Sequence, residues 1–158
     1  MKIIFTFLVC FFFHYSFAQR LDINSLEKIL YSSVRSADSL LKKSKFNLSD
    51  KEKGKDYTNY YYTSYERRDL VKHMLRSLSF MDVYSDGDTS RLVLYRTYYE
   101  NEQEEMKKQL LANGYELFKS SDNNFIYKKG DHTITNKITE KTVGGSKPVT
   151  AYEFELGR

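Results

Sequence analysis

The sequence predicts an α+β fold: an antiparallel sheet with two helices packed on one face. Three observations carry that expectation. Two segments place apolar residues at helical spacing, and each is followed by several segments that alternate apolar and polar residues. Short turn signatures separate the alternating segments. The composition suits pleated, half-buried surfaces, with 14 tyrosines, a single proline and no tryptophan.

The chain opens with a segment that concerns destination, not fold. Lys2 is a short basic start, Ile3 to Phe13 is apolar apart from Thr6, and Ser16-Phe17-Ala18 puts small residues where a signal peptidase reads. Residues 1–18 therefore read as a secretory signal peptide, cut before Gln19. The apolar run is shorter than the roughly 20 residues a membrane-spanning helix needs. A lipid anchor at Cys10 is a disfavoured alternative, because Val9 is bulky and the apolar run continues past the cysteine. Export to the periplasm or the extracellular medium is the expectation.

Removing residues 1–18 takes away one basic residue and no acidic one, so the net charge falls from +4 to +3. That small, dispersed charge does not argue for nucleic acid. Residues 19–158 suit a single domain. Cys10 is the only cysteine, so the exported chain has no disulfide, thiolate nucleophile or sulfur ligand and must rely on its core.

The first helix is expected over Ser25 to Lys43, with Leu26, Ile29, Leu30, Val34, Ala37, Leu40 and Leu41 on one face. Asn24 and Glu27 form its capping box, and Lys42 and Lys43 suit its negative end. Phe46 to Leu48 reads as a short strand and Ser49 to Asp56 as a solvated loop. Tyr57 to Tyr65, with five tyrosines, reads as a strand. Leu70, Val71, Met74, Leu75 and Leu78 have helical spacing, so a short helical or irregular piece should precede a strand ending at Tyr84. Ser85-Asp86-Gly87-Asp88 is a turn, and Arg91 to Tyr99 returns as the second strand of a hairpin.

The pattern then restarts. Asn101 and Glu104 suggest a second capping box, Met106, Leu110 and Leu111 the apolar stripe, and Gly114 a left-handed cap. Tyr115 to Lys119, Phe125 to Lys129, His132 to Glu140 and Thr150 to Leu156 read as four strands, with turns at Lys129-Gly130-Asp131 and Val143-Gly144-Gly145-Ser146. A helix followed by three or four strands thus occurs twice, over 22–99 and 100–158. Leu41, Phe46 and Leu48 have the same spacing as Leu110, Tyr115 and Leu117. An internal repeat and one unduplicated α+β domain both account for the pattern.

Alternation assigns faces. Tyr152, Phe154 and Leu156 point inward, with Glu153 and Glu155 outward. Ile134 and Ile138 point inward, with Thr133, Thr135, Lys137 and Thr139 outward. Leu92 and Leu94 are read as inward, leaving Arg91, Val93, Tyr95, Thr97 and Tyr99 outward. The open face would then carry tyrosine, threonine, arginine and glutamate, residues suited to protein docking. Tyr61, Tyr65, Arg91, Tyr95 and Tyr99 are the candidate binding residues.

This layout resembles that of the β-lactamase inhibitor proteins, which are secreted, built of two tandem α/β repeats, and grip another protein with an open sheet. The resemblance spans residues 19–158 and rests on element order. It implies docking of an extracytoplasmic protein, with inhibition or neutralisation as the consequence. The chain lacks the cysteines that family uses for disulfides, and the resemblance carries no residue role across.

Catalytic and metal chemistry find little support. His73 and His132 are not at zinc-site spacing, and Asp82, Asp86 and Asp88 around Gly87 lack the ligand series of a calcium loop. No G-x-S-x-G is present, Glu153 and Glu155 share a solvated strand face, and Val143 to Lys147 lacks P-loop spacing. The lysines from Lys42 to Lys55 are interrupted by Asp50 and Glu52 and read as a solvated surface. The expected protein is a non-enzymatic binding module with no cofactor and no metal. A small-ligand or glycan-binding envelope protein, with tyrosines stacking on sugar rings, is the alternative.

Overall fold

The computed structural model describes residues 20–68, 71–141 and 148–158, with the side chains of 66–68, 71–73 and 141 outside that description. The expected signal segment, Cys10, Leu70 and the 143–146 turn therefore lie outside the described residues. Among the described residues, three helices, α1 (Ile23–Tyr31), α2 (Val34–Lys43) and α3 (Glu100–Ala112), accompany eight strands. The strands are β1 (Asn47–Lys53), β2 (Tyr57–Arg68), β3 (Val71–Ser85), β4 (Asp88–Thr97), β5 (Glu116–Ser121), β6 (Asn124–Lys129), β7 (His132–Lys141) and β8 (Val149–Gly157). The fold is α+β with one antiparallel sheet, ordered β1-β2-β3-β4-β8-β7-β6-β5. Among the described residues no helix is long and apolar enough to cross a membrane.

The first expected helix is two. Ser32 and Ser33 are both extended, and Ser33 caps α2 by accepting from the Ser36 N–H. Serine competes with the helix for backbone hydrogen bonds, so a Ser-Ser pair is a natural place to break and restart. Asp22, not Asn24, caps α1, its Oδ1 accepting from the Ser25 N–H at 2.7 Å. Asn24 sits inside α1 and accepts from Asn113 Nδ2 at 3.0 Å. The second expected capping box also fails to form: α3 begins at Glu100, and its cap residue Tyr99 makes no side-chain cap bond.

Two segments are more extended than their sequence suggests. Ser49 to Lys53 belongs to β1, because Asp50 to Lys53 pair antiparallel with Tyr61 to Thr58, with Ser49 in the bulge. Val71 to Leu78 is strand, not helix, because it runs antiparallel to β2 out to Arg68. Tertiary pairing overrides local spacing in both places.

The sheet is two four-stranded meanders joined at β4 and β8. Tyr95 lies opposite Phe154 and Val93 opposite Leu156, which puts the Leu94–Glu155 pair at the centre. The halves share local devices. The helices α2 and α3 each end in a Schellman cap, Phe46 N–H bonding Leu41 O at 2.9 Å and Tyr115 N–H bonding Leu110 O at 3.0 Å. The left-handed residue is Lys45 in one cap and Gly114 in the other, at φ 60° and 82°. A bulge then falls between Leu48 and Asp50 in β1, and between Leu117 and Lys119 in β5. Leu48 and Leu117 each face a buried tyrosine, Tyr62 and Tyr127.

The helices cover one face only. Beneath them lie Tyr62, Leu78, Phe80, Val93, Tyr95, Ile134, Phe154 and Leu156, all essentially fully buried. The β7 and β8 faces are as their alternation indicates. The β4 face is inverted: Arg91, Val93, Tyr95 and Thr97 point into the core, and Leu92 and Leu94 lie on the open side, half-buried. Apolar character alone cannot decide β4, since both sets contain apolar side chains. Polar partners on other elements decide it.

Arg91 is the first case. Its Nε and Nη2 bond Asp82 at 2.5 and 2.9 Å, and its Nη1 donates to the carbonyls of Ile29 and Ser32 at 2.8 and 2.7 Å. The guanidinium thereby ends α1, where free carbonyls and the helix dipole favour a cation. It also lies over the Phe80 ring. Glu102, in the first turn of α3, is the second. It accepts from the Arg76 guanidinium, from Thr97 Oγ1 at 2.7 Å and from the Tyr95 hydroxyl at 3.3 Å. Arg20 adds an ion pair at 3.3 Å.

Arg91→Ala should cost about 3–5 kcal/mol in urea unfolding, because it leaves Asp82 buried and unpaired. Replacing Arg91 and Asp82 together with leucine should recover most of that loss, although the α1 carbonyls stay uncapped.

Burial raises the phenol pKa values of Tyr62, Tyr95 and Tyr115, and the carboxylates of Asp38, Glu102 and Glu27 beside them push the same way. Unfolded tyrosine ionises near pH 10. Above that pH the unfolded chain loses protons that the folded chain keeps, so stability falls. Below it these groups make no slope. Urea midpoints from pH 8 to 12 should be level in tyrosine ionisation up to about pH 10 and then drop, with phenolate absorbance rising together with unfolding.

Candidate functional site

The open face of the sheet is the candidate site, since the helices leave it uncovered across all eight strands. Register defines its rows. The central row runs from Asp50 and Tyr61 through Ser79 and Leu94 to Glu155, Thr135, Ile126 and Lys119. The next contains Thr63, Ser77, Arg96, Glu153 and Lys137. The face is chemically divided. The β2–β4 half presents tyrosine, methionine, leucine and hydroxyl side chains. The β7–β8 half presents charges that are mostly paired, Arg96 with Glu153 at 2.7 Å and Lys137 with Glu155 at 3.4 Å.

A groove of about 370 Å³ lies in the first half, lined by Tyr61, Thr63, Met74, Ser79, Leu94 and Arg96, with Asp50 at its outer rim. Tyr61 forms its wall. The Tyr61 hydroxyl donates to Glu52 at 3.2 Å and accepts from Asn59 Nδ2 at 2.7 Å. The Tyr57 hydroxyl donates to the same carboxylate at 2.7 Å. Both phenols are held above their ordinary pKa: for Tyr57 the hydrogen bond to Glu52 leads, and for Tyr61 desolvation leads. Two tyrosines are thus braced side by side on β2 by one carboxylate from β1. Bracing of this kind lowers the rotamer entropy lost on docking.

Of the five candidate binding residues, two lie on this face. Tyr61 is half-buried in the groove wall, and Tyr65, 37% exposed, stands opposite Met74, 39% exposed. Arg91 and Tyr95 are corrected: at 4% and 0% exposure they are under the helices, held there by Asp82 and Glu102. Tyr99 is off the sheet, at the start of α3, with its ring 5.1 Å from the Arg76 guanidinium carbon. Sequence reasoning missed Asp50, Glu52, Met74 and Leu94. The acidic pair was hidden by the assignment of residues 49–56 to a loop, and Leu94 by the inverted face. Strand alternation in Asp50-Lys51-Glu52-Lys53 was the available signal.

A larger cleft, about 940 Å³, lies between the starts of α1 and α3, lined by Arg20, Asp22, Glu100, Glu102, Glu105 and Gln109 among others. Several of its acidic groups already have structural work. Asp22 caps α1, Glu100 and Glu102 sit at the positive end of α3, and Glu102 holds Arg76. Among the described residues no group of three or more histidine, cysteine, aspartate or glutamate side chains could hold a metal ion.

No protein-family model, no curated protein and no solved structure matches this chain. The site therefore stands on its own geometry.

Tyr61→Ala and Tyr65→Ala should each cost clearly less stability than Tyr95→Ala, because both rings keep part of their contact with solvent. Tyr95→Ala should cost about 3–5 kcal/mol, as for a fully buried aromatic ring. Thermal or urea unfolding of the three variants tests the corrected face assignment.

Proposed function

We propose that this protein is an exported binding module that docks another extracytoplasmic protein on its open sheet face. The observation that supports this best is the β1–β4 half of the open face, where Tyr61, Met74 and Leu94 line a groove beside braced tyrosines. Aromatic and apolar anchors in a partly formed pocket are what interface hot spots use. Export rests on residues 1–18, whose basic start, apolar run and small residues before Gln19 form a signal peptide. Inhibition or neutralisation of the partner follows naturally from covering its surface with a broad sheet.

We also infer that residues 22–99 and 100–158 are tandem repeats. Support comes from the shared Schellman caps, the bulges at matching positions and the tyrosines opposite Leu48 and Leu117. The layout kinship with the β-lactamase inhibitor proteins belongs to the same proposal.

Immobilised wild-type protein should capture one dominant partner from envelope or culture-supernatant proteins. A Tyr61→Ala/Leu94→Ala variant that remains folded should lose it, and a Lys43→Ala/Lys108→Ala variant, altered outside the open face, should keep it. Equal capture by all three forms would sink the open-face reading. Mass spectrometry of protein isolated from the envelope or medium should find Gln19 as the first residue, and a retained leader would overturn export. A rise in melting temperature with a sugar, and no protein partner, would favour the glycan-binding alternative.

A further inference from the structure

We infer that the partner enters the groove with a projecting arginine, whose guanidinium meets Asp50 and Glu52 and whose stem lies on the Tyr61 ring. This rests on the open face being the docking surface and names the chemistry that it selects.

The argument starts from the alternation of β1. Asp50 lies opposite Tyr61 and Glu52 opposite Asn59, so both carboxylates are on the open face. Lys51 lies opposite Tyr60 and Lys53 opposite Thr58, which turns both ammonium groups to the other side. Lys51 is over the Tyr60 ring there. A nearly neutral stretch of sequence thus becomes an acidic rim on one face of the sheet. Asp50 and Glu52 are exposed, and neither is ion-paired among the described residues.

The surrounding groups add acceptors and few free donors. Glu52 already receives the Tyr57 and Tyr61 hydroxyls, so those phenols present ring faces and not protons. Asn59 Oδ1 is buried with no hydrogen-bond partner. Arg96, the cation at the far side of the groove, is engaged by Glu153 at 2.7 Å. The groove offers the Asp50 carboxylate, an aromatic ring and an apolar floor, with its own cation spoken for, and the β1 rim beside it adds the Glu52 carboxylate. The complementary guest is a planar cation with an apolar stem. Arginine fits better than lysine, because its fork binds carboxylates with several donors while its plane stacks on tyrosine. A neutral apolar anchor would leave the acidic rim desolvated without compensation.

Benzamidinium is a suitable probe, with neutral benzamide as its isostere. Full-length protein titrated with each, followed by NMR, should show benzamidinium shifting the Met74 methyl and the Asp50 and Tyr61 amides. Benzamide should bind at least about 10-fold more weakly, and Asp50→Asn/Glu52→Gln should remove that preference, its folding checked by thermal unfolding. Equal shifts with both probes, or benzamidinium shifts confined to the α1–α3 cleft, would overturn the inference. Captured partner supplies the separating control. If Tyr61→Ala releases it and Asp50→Asn/Glu52→Gln does not, the docking face stands and the arginine is wrong.

Discussion

Arg91 is the constraint on which the rest of this structure depends. One guanidinium joins β4 to Asp82 of β3 and to the last carbonyls of α1, all beneath the helical layer. Bonding both partners at once requires Arg91 to point into the core. Because side chains alternate along a strand, that single orientation also sends Val93, Tyr95 and Thr97 inward and Leu92 and Leu94 outward. The open face is composed as it is because of a buried charge on the opposite face. A buried ion pair adds little net stability by itself, but a strand with the wrong face inward would strand Arg91 and Asp82 unsatisfied. Its effect is to select one arrangement of β4 among two with similar apolar content.

Glu102 repeats this logic at the other end of β4. It gathers Arg76, Thr97 and Tyr95 around the first turn of α3, where the helix dipole favours its charge. The two polar centres bracket β4 and tie the β3–β4 hairpin to α1 and to α3. They also anchor the middle of the sheet, where the meanders meet through the Leu94–Glu155 pair. A chain with a single cysteine has no internal disulfide and gains from such centres mainly specificity, since its apolar core already supplies most of the driving force.

The site follows from these constraints. With the helices confined to one face and β4 oriented by Arg91, the opposite face gathers Tyr61, Met74 and Leu94 into a groove. The β1 strand, paired by backbone and not by apolar burial, contributes the carboxylates that brace Tyr57 and Tyr61. The composition of the open face is therefore a by-product of where the buried charges had to go, and its chemistry differs from that of a plain list of tyrosines.

By itself the sequence determined the α+β class, the antiparallel sheet, the second helix with its Gly114 cap, the 85–88 hairpin turn and the four strands after α3. Those features depend on local periodicity and turn chemistry, which neighbouring residues encode. The matching spacing of Leu41-Phe46-Leu48 and Leu110-Tyr115-Leu117 was legible for the same reason, and both sets end in the same cap and bulge. Only tertiary structure decided the break at Ser32-Ser33, the strand character of residues 49–53 and 71–78, and the inward face of β4. Each of these turns on a partner in another element: Arg91 for the end of α1, the β2 backbone for β1 and β3, Asp82 and Glu102 for β4. Alternation could group Tyr61 with Tyr65 and Arg91 with Tyr95, but which of these faces the helices cover was settled by packing and by hydrogen bonds to residues on other elements.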